Sequence, residues 1–114
     1  MKPKRGDVWL VRFPFSDLST AKLRPALVLA VHGEDVIFAG IFSRSVPGPF
    51  RKTWIWLDQS AADFGRTGLK ASSVLKAEKI AVIHQSVLVR RIGYFSPAMM
   101  RQVCRSLKYA LLIP

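Results

Sequence analysis

Carboxylates and cysteine are scarce in this 114-residue chain. Only 7 Asp and Glu stand against 18 Lys and Arg, and Cys104 is the single cysteine. One thiol forbids an internal disulfide and any thiolate metal cage. At an expected helical core position it is predicted to be a buried structural thiol. No two acids stand at metal-ligand spacing, and neither a His-x-Glu nor a paired-cysteine motif occurs. A two-metal hydrolytic centre is therefore not supported, and no metal or cofactor is expected. Long apolar runs are missing too: residues 25–31 form the longest, against the roughly 20 residues of a membrane-spanning helix. The basic start, residues 1–7, is not followed by the apolar segment of a secretory signal. A cytoplasmic location without a membrane partner is the expectation.

What is present is a foldable, strongly basic composition. Half the residues are hydrophobic and 22% are charged, too apolar for a disordered tail. A chain of this length can bury roughly 65% of its unfolded surface, so residues 1–114 are expected to form one domain. The formal net charge of +11 concentrates polyanions, of which nucleic acid is the commonest in the cytoplasm. The cations are dispersed along the chain without a long run, so a folded surface must gather them.

Period-two and β-branched patterns predict strands over residues 7–13, 25–31, 36–42, 53–57, 73–76, 78–83 and 87–92. Pro14 closes the first strand and opens an irregular stretch to Leu23, where Ser, Asp and Thr compete with regular structure. Residues 32–35 form a hairpin turn, and Gly40 marks a bend or close backbone approach. Pro47, Gly48 and Pro49 define a second irregular segment. Asp58 or Ser60 is expected to cap a short helix stopped by Gly65. Ser96 followed by Pro97 is a favoured helix start. Beyond it Met100, Val103, Cys104, Leu107 and Leu111 share an expected core face, and Arg101, Arg105 and Lys108 a neighbouring solvated one. Many short strands with one terminal helix predict a mainly β, α+β architecture: a small barrel or sandwich.

The run Arg5-Gly6-Asp7-Val8-Trp9, followed after a loop by Leu23-Arg24-Pro25-Ala26-Leu27-Val28-Leu29, resembles the PemK/MazF-like toxins of bacterial toxin–antitoxin systems. Phe13-Pro14-Phe15-Ser16-Asp17-Leu18 looks like one branch of that family. Arg66-Thr67-Gly68-Leu69-Lys70 and then Ser72-Ser73-Val74-Leu75 are similar to its later Gly-Leu-x-x-x-Ser-Val segment. The two blocks occur in the right order, and nearly the whole chain can be laid on the pattern. The resemblance implies an SH3-like barrel with a C-terminal helix. It also implies a homodimer acting as a metal-independent endoribonuclease on single-stranded RNA, with an acidic antitoxin covering the same surface.

RNA is cut when its 2′-OH attacks the adjacent phosphorus, leaving a 2′,3′-cyclic phosphate, and no metal is obligatory. The protein need only accept a proton, stabilise the anionic transition state and assist the leaving 5′-oxygen. Arg24 stands where an irregular loop meets a strand, and Pro25 biases it towards an extended conformation. Its guanidinium is a permanently charged fork that matches two phosphate oxygens. The resemblance assigns the principal catalytic arginine to this Arg-Pro pair. The family's second residue is a threonine at the end of the strand after the hairpin, and here the stretch is Gly40-Ile41-Phe42-Ser43-Arg44. Ungapped spacing selects Phe42, whereas chemistry selects Ser43, whose hydroxyl can position a phosphate or the 2′-OH. A one-residue choice flips the side chain across the sheet. His84 is a candidate proton acceptor because imidazole titrates nearest neutrality; His32 in its turn is weaker. Phe15, Lys22, Arg44, Phe50, Arg51, Lys52 and Arg66 are the candidate RNA-binding residues, pairing cations for phosphates with flat rings for bases. Trp54 and Trp56 share one strand face and are assigned to core or dimer packing. Two other classes compete: a gyrase-targeting CcdB-like toxin, whose terminal Trp-Gly-Ile is absent here, and a nucleic-acid binder without catalytic activity.

Overall fold

The computed structural model describes residues 2–12, 22–43 and 51–114. Its strands are β1 (Asp7–Arg12), β2 (Leu23–His32), β3 (Asp35–Phe42), β4 (Trp54–Leu57), β5 (Ser73–His84) and β6 (Leu88–Tyr94), followed by α1 (Pro97–Leu111). They form one antiparallel sheet in the order β4-β5-β3-β2-β1-β6.

Both faces of the sheet are apolar because alternate residues of the central strands are hydrophobic on either side. Leu27, Leu29, Ala39, Ile41 and Leu75 pack on one face with Val103 of α1. Trp9, Val11, Ala26, Val28, Phe38 and Ile83 form a second cluster on the other. With one helix available, the second face is buried by the sheet's own curl, which gives the SH3-like, barrel-like form. Register shifts supply that curl. One falls between Ala39 and Gly40 of β3, where the predicted bend at Gly40 is opposed by extra β5 residues.

The Arg5-Gly6-Asp7-Val8-Trp9 block has a structural task. Asp7 is 3% exposed. Its Oδ2 accepts the Lys4 N–H at 2.9 Å and the Trp9 indole N–H at 3.3 Å, and its Oδ1 accepts Arg91 Nε at 3.0 Å. Arg5 donates to the Leu29 carbonyl and to Cys104 Sγ. Gly6, at φ +93°, donates its N–H to the Val28 carbonyl. The block thereby welds the chain start to β2, β6 and α1.

Several expectations need correction. The predicted short helix is a set of turns ending in a single 3-10 turn, Gly65–Thr67, so Gly65 begins the element instead of stopping it. Asp58 spends its carboxylate on the Ser60 N–H and hydroxyl, a local turn that competes with helix. The two short strands predicted over 73–83 are one irregular strand, β5. β2 begins at Leu23, before the proline, because Val11 and Arg12 of β1 pair with Arg24 and Leu23. The Ser96 cap with Pro97 holds: Ser96 Oγ accepts the Met99 N–H at 3.2 Å and donates to Asp63. Leu111, expected on the core face, is exposed, while Ala110 packs inward. Cys104 is only half-buried, against the Arg5 guanidinium. Among the described residues no helix is long and apolar enough to cross a membrane.

Candidate functional site

The β1–β2 register pairs Val11 with Arg24. Alternation therefore puts Arg24 on the face of Val11 and Ala26, and Leu23 and Pro25 on the other. The β2–β3 register pairs Ala26 with Gly40, and continuing it two residues sets Arg24 opposite Phe42. From there the rows run across the sheet: Gly40, Lys76 and Trp54 in one, and Phe42, Val74 and Trp56 in the next.

On this face Lys76 is sandwiched between aromatic rings. Its Nζ lies 4.8 Å from the ring centroid of Phe42 and 4.8 Å from that of Trp54. The Arg51 guanidinium lies 5.2 Å from the Trp54 centroid. Glu78, two residues along β5 from Lys76, accepts the Trp54 indole N–H at 2.8 Å and Arg51 Nη1 at 3.2 Å on Oε2. Phe42, Lys76, Trp54, Arg51 and Glu78 thus build an aromatic shelf carrying cations, with Arg24 on the same face of the sheet.

The electrostatics differ among the cations. Arg51 is offset by Glu78. Arg24 and Lys76 enter none of the ion pairs among the described residues. A cation–π contact contributes about 0.5–2 kcal/mol without cancelling the charge. Lys76 is therefore held in place yet free to attract an anion. Burial pushes the Glu78 carboxyl up, but the Thr53 hydroxyl, the Trp54 indole and the Arg51 charge together hold it below the usual range. Thr53 Oγ1 and Glu78 Oε1 are both sealed from solvent, and neither meets a partner at full hydrogen-bond geometry.

The remaining candidate residues scatter. Ser43 is exposed at the end of β3 and lines a cavity of about 450 Å³ with Leu23, Pro25, Lys70 and Arg90. It shares the sheet rim with Arg24 but opens on the opposite face, and the side chain on Arg24's own face is Phe42. Lys22 is exposed beside β2. Lys52 lies over the Tyr109 ring of α1, 5.1 Å from its centroid. Arg66 is exposed on the 3-10 turn packed against β6. Phe15, Arg44 and Phe50 lie outside the described residues. His84 pairs with Asp35 at the far end of β5 and faces Glu34, and His32 closes the same end of β2, so both imidazoles are remote from Arg24. Lys76 and Glu78 escaped the sequence reading. Their alternation along one strand was available as a signal, but the register joining them to Trp54 was not.

Trp54 is half-buried and Trp56 is 40% exposed. Among the described residues no group of three or more His, Cys, Asp or Glu could hold a metal ion.

Solved structures share this architecture at low sequence identity. An endoribonuclease from a mycobacterial species, in complex with its cognate antitoxin, superposes with a TM-score of 0.72 at 22% identity, covering 99% of this chain and 98% of that one. The Mycobacterium tuberculosis toxin MazF-mt6 gives 0.74 at 21% identity, with 95% and 98% coverage. MazF from Deinococcus radiodurans gives 0.66 at 19%, with 98% and 97% coverage. No curated protein sequence matches this chain significantly. Residues 4–111 match the family described as the PemK-like, MazF-like toxin of type II toxin-antitoxin systems, and the chain belongs to that family.

Proposed function

We propose that the protein is a metal-independent endoribonuclease that cuts single-stranded RNA as the toxin of a type II toxin–antitoxin pair. In this reading it is a cytoplasmic homodimer neutralised by an acidic antitoxin. The observation that carries it is that Arg24 and Lys76, which enter no ion pair among the described residues, share one face of a chain of this family. As the 2′-oxygen bonds to phosphorus and the P–O5′ bond breaks, negative charge gathers on the non-bridging oxygens. The Arg24 fork receives that charge, and Lys76 holds a neighbouring phosphate. Ser43 acts across the rim by hydrogen-bonding the backbone of the same strand. Glu78, occupied by its own donors, is poorly suited to bind a metal.

Purified protein in EDTA should cleave single-stranded RNA and leave 2′,3′-cyclic phosphate ends. Arg24→Ala should lose about 10²–10³-fold in kcat while remaining folded, the usual cost of removing a transition-state donor; full activity would eliminate the site. Ser43→Ala should lose about tenfold. Light scattering should give twice the protomer mass.

Phe42 on Arg24's face, where a hydroxyl would help, supports a second reading as an RNA binder without catalysis. Salt-sensitive binding with RNA left intact would identify it. Family membership does not favour the gyrase-targeting alternative.

A further inference from the structure

The shelf contains a carboxylate with no obvious vacancy for substrate. Glu78 Oε2 is taken by Trp54 Nε1 and Arg51 Nη1, and Oε1 is sealed from solvent. The strand behind it is pinned as well, since Ala77 donates its N–H to the Thr53 carbonyl at 2.8 Å.

We propose that Glu78 is a positioning residue, which clamps the Trp54 indole and the Arg51 fork so that Lys76, held between Trp54 and Phe42, is aimed at an RNA phosphate. The kinetic part rests on the ribonuclease reading; the clamp itself rests on geometry alone. Without the carboxylate the half-buried indole N–H loses the acceptor that sets the ring's orientation, so the ring shifts. Lys76 then loses one wall of its enclosure and regains the rotamer freedom of a long side chain. A direct role as proton acceptor from the 2′-OH is disfavoured. Such a base needs an accessible lone pair and a pKa near the working pH, and this carboxylate is held below its usual range.

The test compares Glu78→Gln, Glu78→Ala, Trp54→Phe and the Ala/Phe double variant. Measurements are the Trp54 indole ¹H–¹⁵N resonance, kcat and KM on a single-stranded oligoribonucleotide, and the pH profile of kcat/KM. In the unaltered protein the indole proton should sit downfield and stay constant from about pH 5 to about pH 8, because a carboxylate below its usual value does not titrate there. Glu78→Ala should move it upfield and raise KM about tenfold with kcat changed less than about threefold, the signature of lost binding. Glu78→Gln, whose amide oxygen still accepts from the indole, should recover most of the KM and leave the acid limb of the profile in place. The double variant should add less than about twofold to Glu78→Ala, because both changes remove one bond.

An unmoved indole resonance in Glu78→Ala would overturn the clamp. A loss of kcat beyond about a hundredfold in both Glu78 variants, with KM unchanged and the acid limb gone, would make Glu78 the proton acceptor and overturn the positioning role. Failure of the unaltered protein to bind or cleave the RNA would defeat the ribonuclease reading instead, while the indole resonance would still report on the clamp.

Discussion

Replacing Asp7 with alanine removes the acceptor for three donors, two from its own segment and one from β6. The bond from Arg91 joins two charges and contributes about 1.5–3 kcal/mol, while the neutral donors Lys4 N–H, which closes a local turn, and Trp9 Nε1–H, which is long at 3.3 Å, contribute about 1 kcal/mol each to the same carboxylate. Their sum, about 3.5–5 kcal/mol, falls within the range for breaking a buried ion pair. The Arg91 side chain is 33% exposed, so water recovers part of its hydration, and about 3–4 kcal/mol is the expected loss. Domains of this class have about 5–15 kcal/mol in total. Each kcal/mol shifts Tm by roughly 4 °C at this chain length, which predicts a drop of about 12–16 °C. Urea and thermal melts followed by circular dichroism measure it, with a lowered midpoint and an unchanged m-value. Asp58→Ala is the control, because that carboxylate is exposed and bonds only locally; its melting midpoint should match that of the unaltered protein. An Asp7→Ala protein melting within about 3 °C of the unaltered one would refute the assignment of the Arg5-Gly6-Asp7-Val8-Trp9 block to structure.

Other consequences can be checked directly. A Cβ on Gly93 would lie 2.3 Å from the Arg66 carbonyl oxygen and 2.4 Å from that of Thr67. Gly93→Ala should therefore cost at least about 1–3 kcal/mol in a thermal melt, whereas Gly65→Ala, with nothing within 4 Å of its Cβ, should not. The Glu78 contribution is complete above the ordinary glutamate pKa of about 4.3 and disappears as pH falls through its lower native value. Tryptophan emission should thus remain native down to that range, and a Trp54 release beginning above about pH 5 would contradict the assignment. The logarithm of RNA affinity should fall linearly with log salt, and Lys76→Ala should reduce the slope by about 0.7, one phosphate contact on a single strand. An unchanged slope would remove Lys76 from the backbone path.

Much of the architecture follows from local chemistry. Alternating β-branched residues demand strands, Gly33 makes the two-residue hairpin turn, and Ser96 with Pro97 starts a helix in any context that permits one. The high positive charge and the Leu23-Arg24-Pro25 junction are likewise properties of the chain as written. What the sequence could not supply was the phase between strands. Phe42 and Ser43 are equally plausible partners for Arg24 until the β2–β3 register is known, and Lys76 is one more dispersed cation until β4 and β5 bring Trp54 beside it. Packing also decided Leu111, which ends the helix exposed while Ala110 turns to the core. For the strand positions the reason is the same: periodicity along a segment is set by its own backbone, but the neighbour across a ladder is set by cooperative pairing over the whole sheet. In a period-two structure a one-residue change in that pairing moves a side chain to the opposite face.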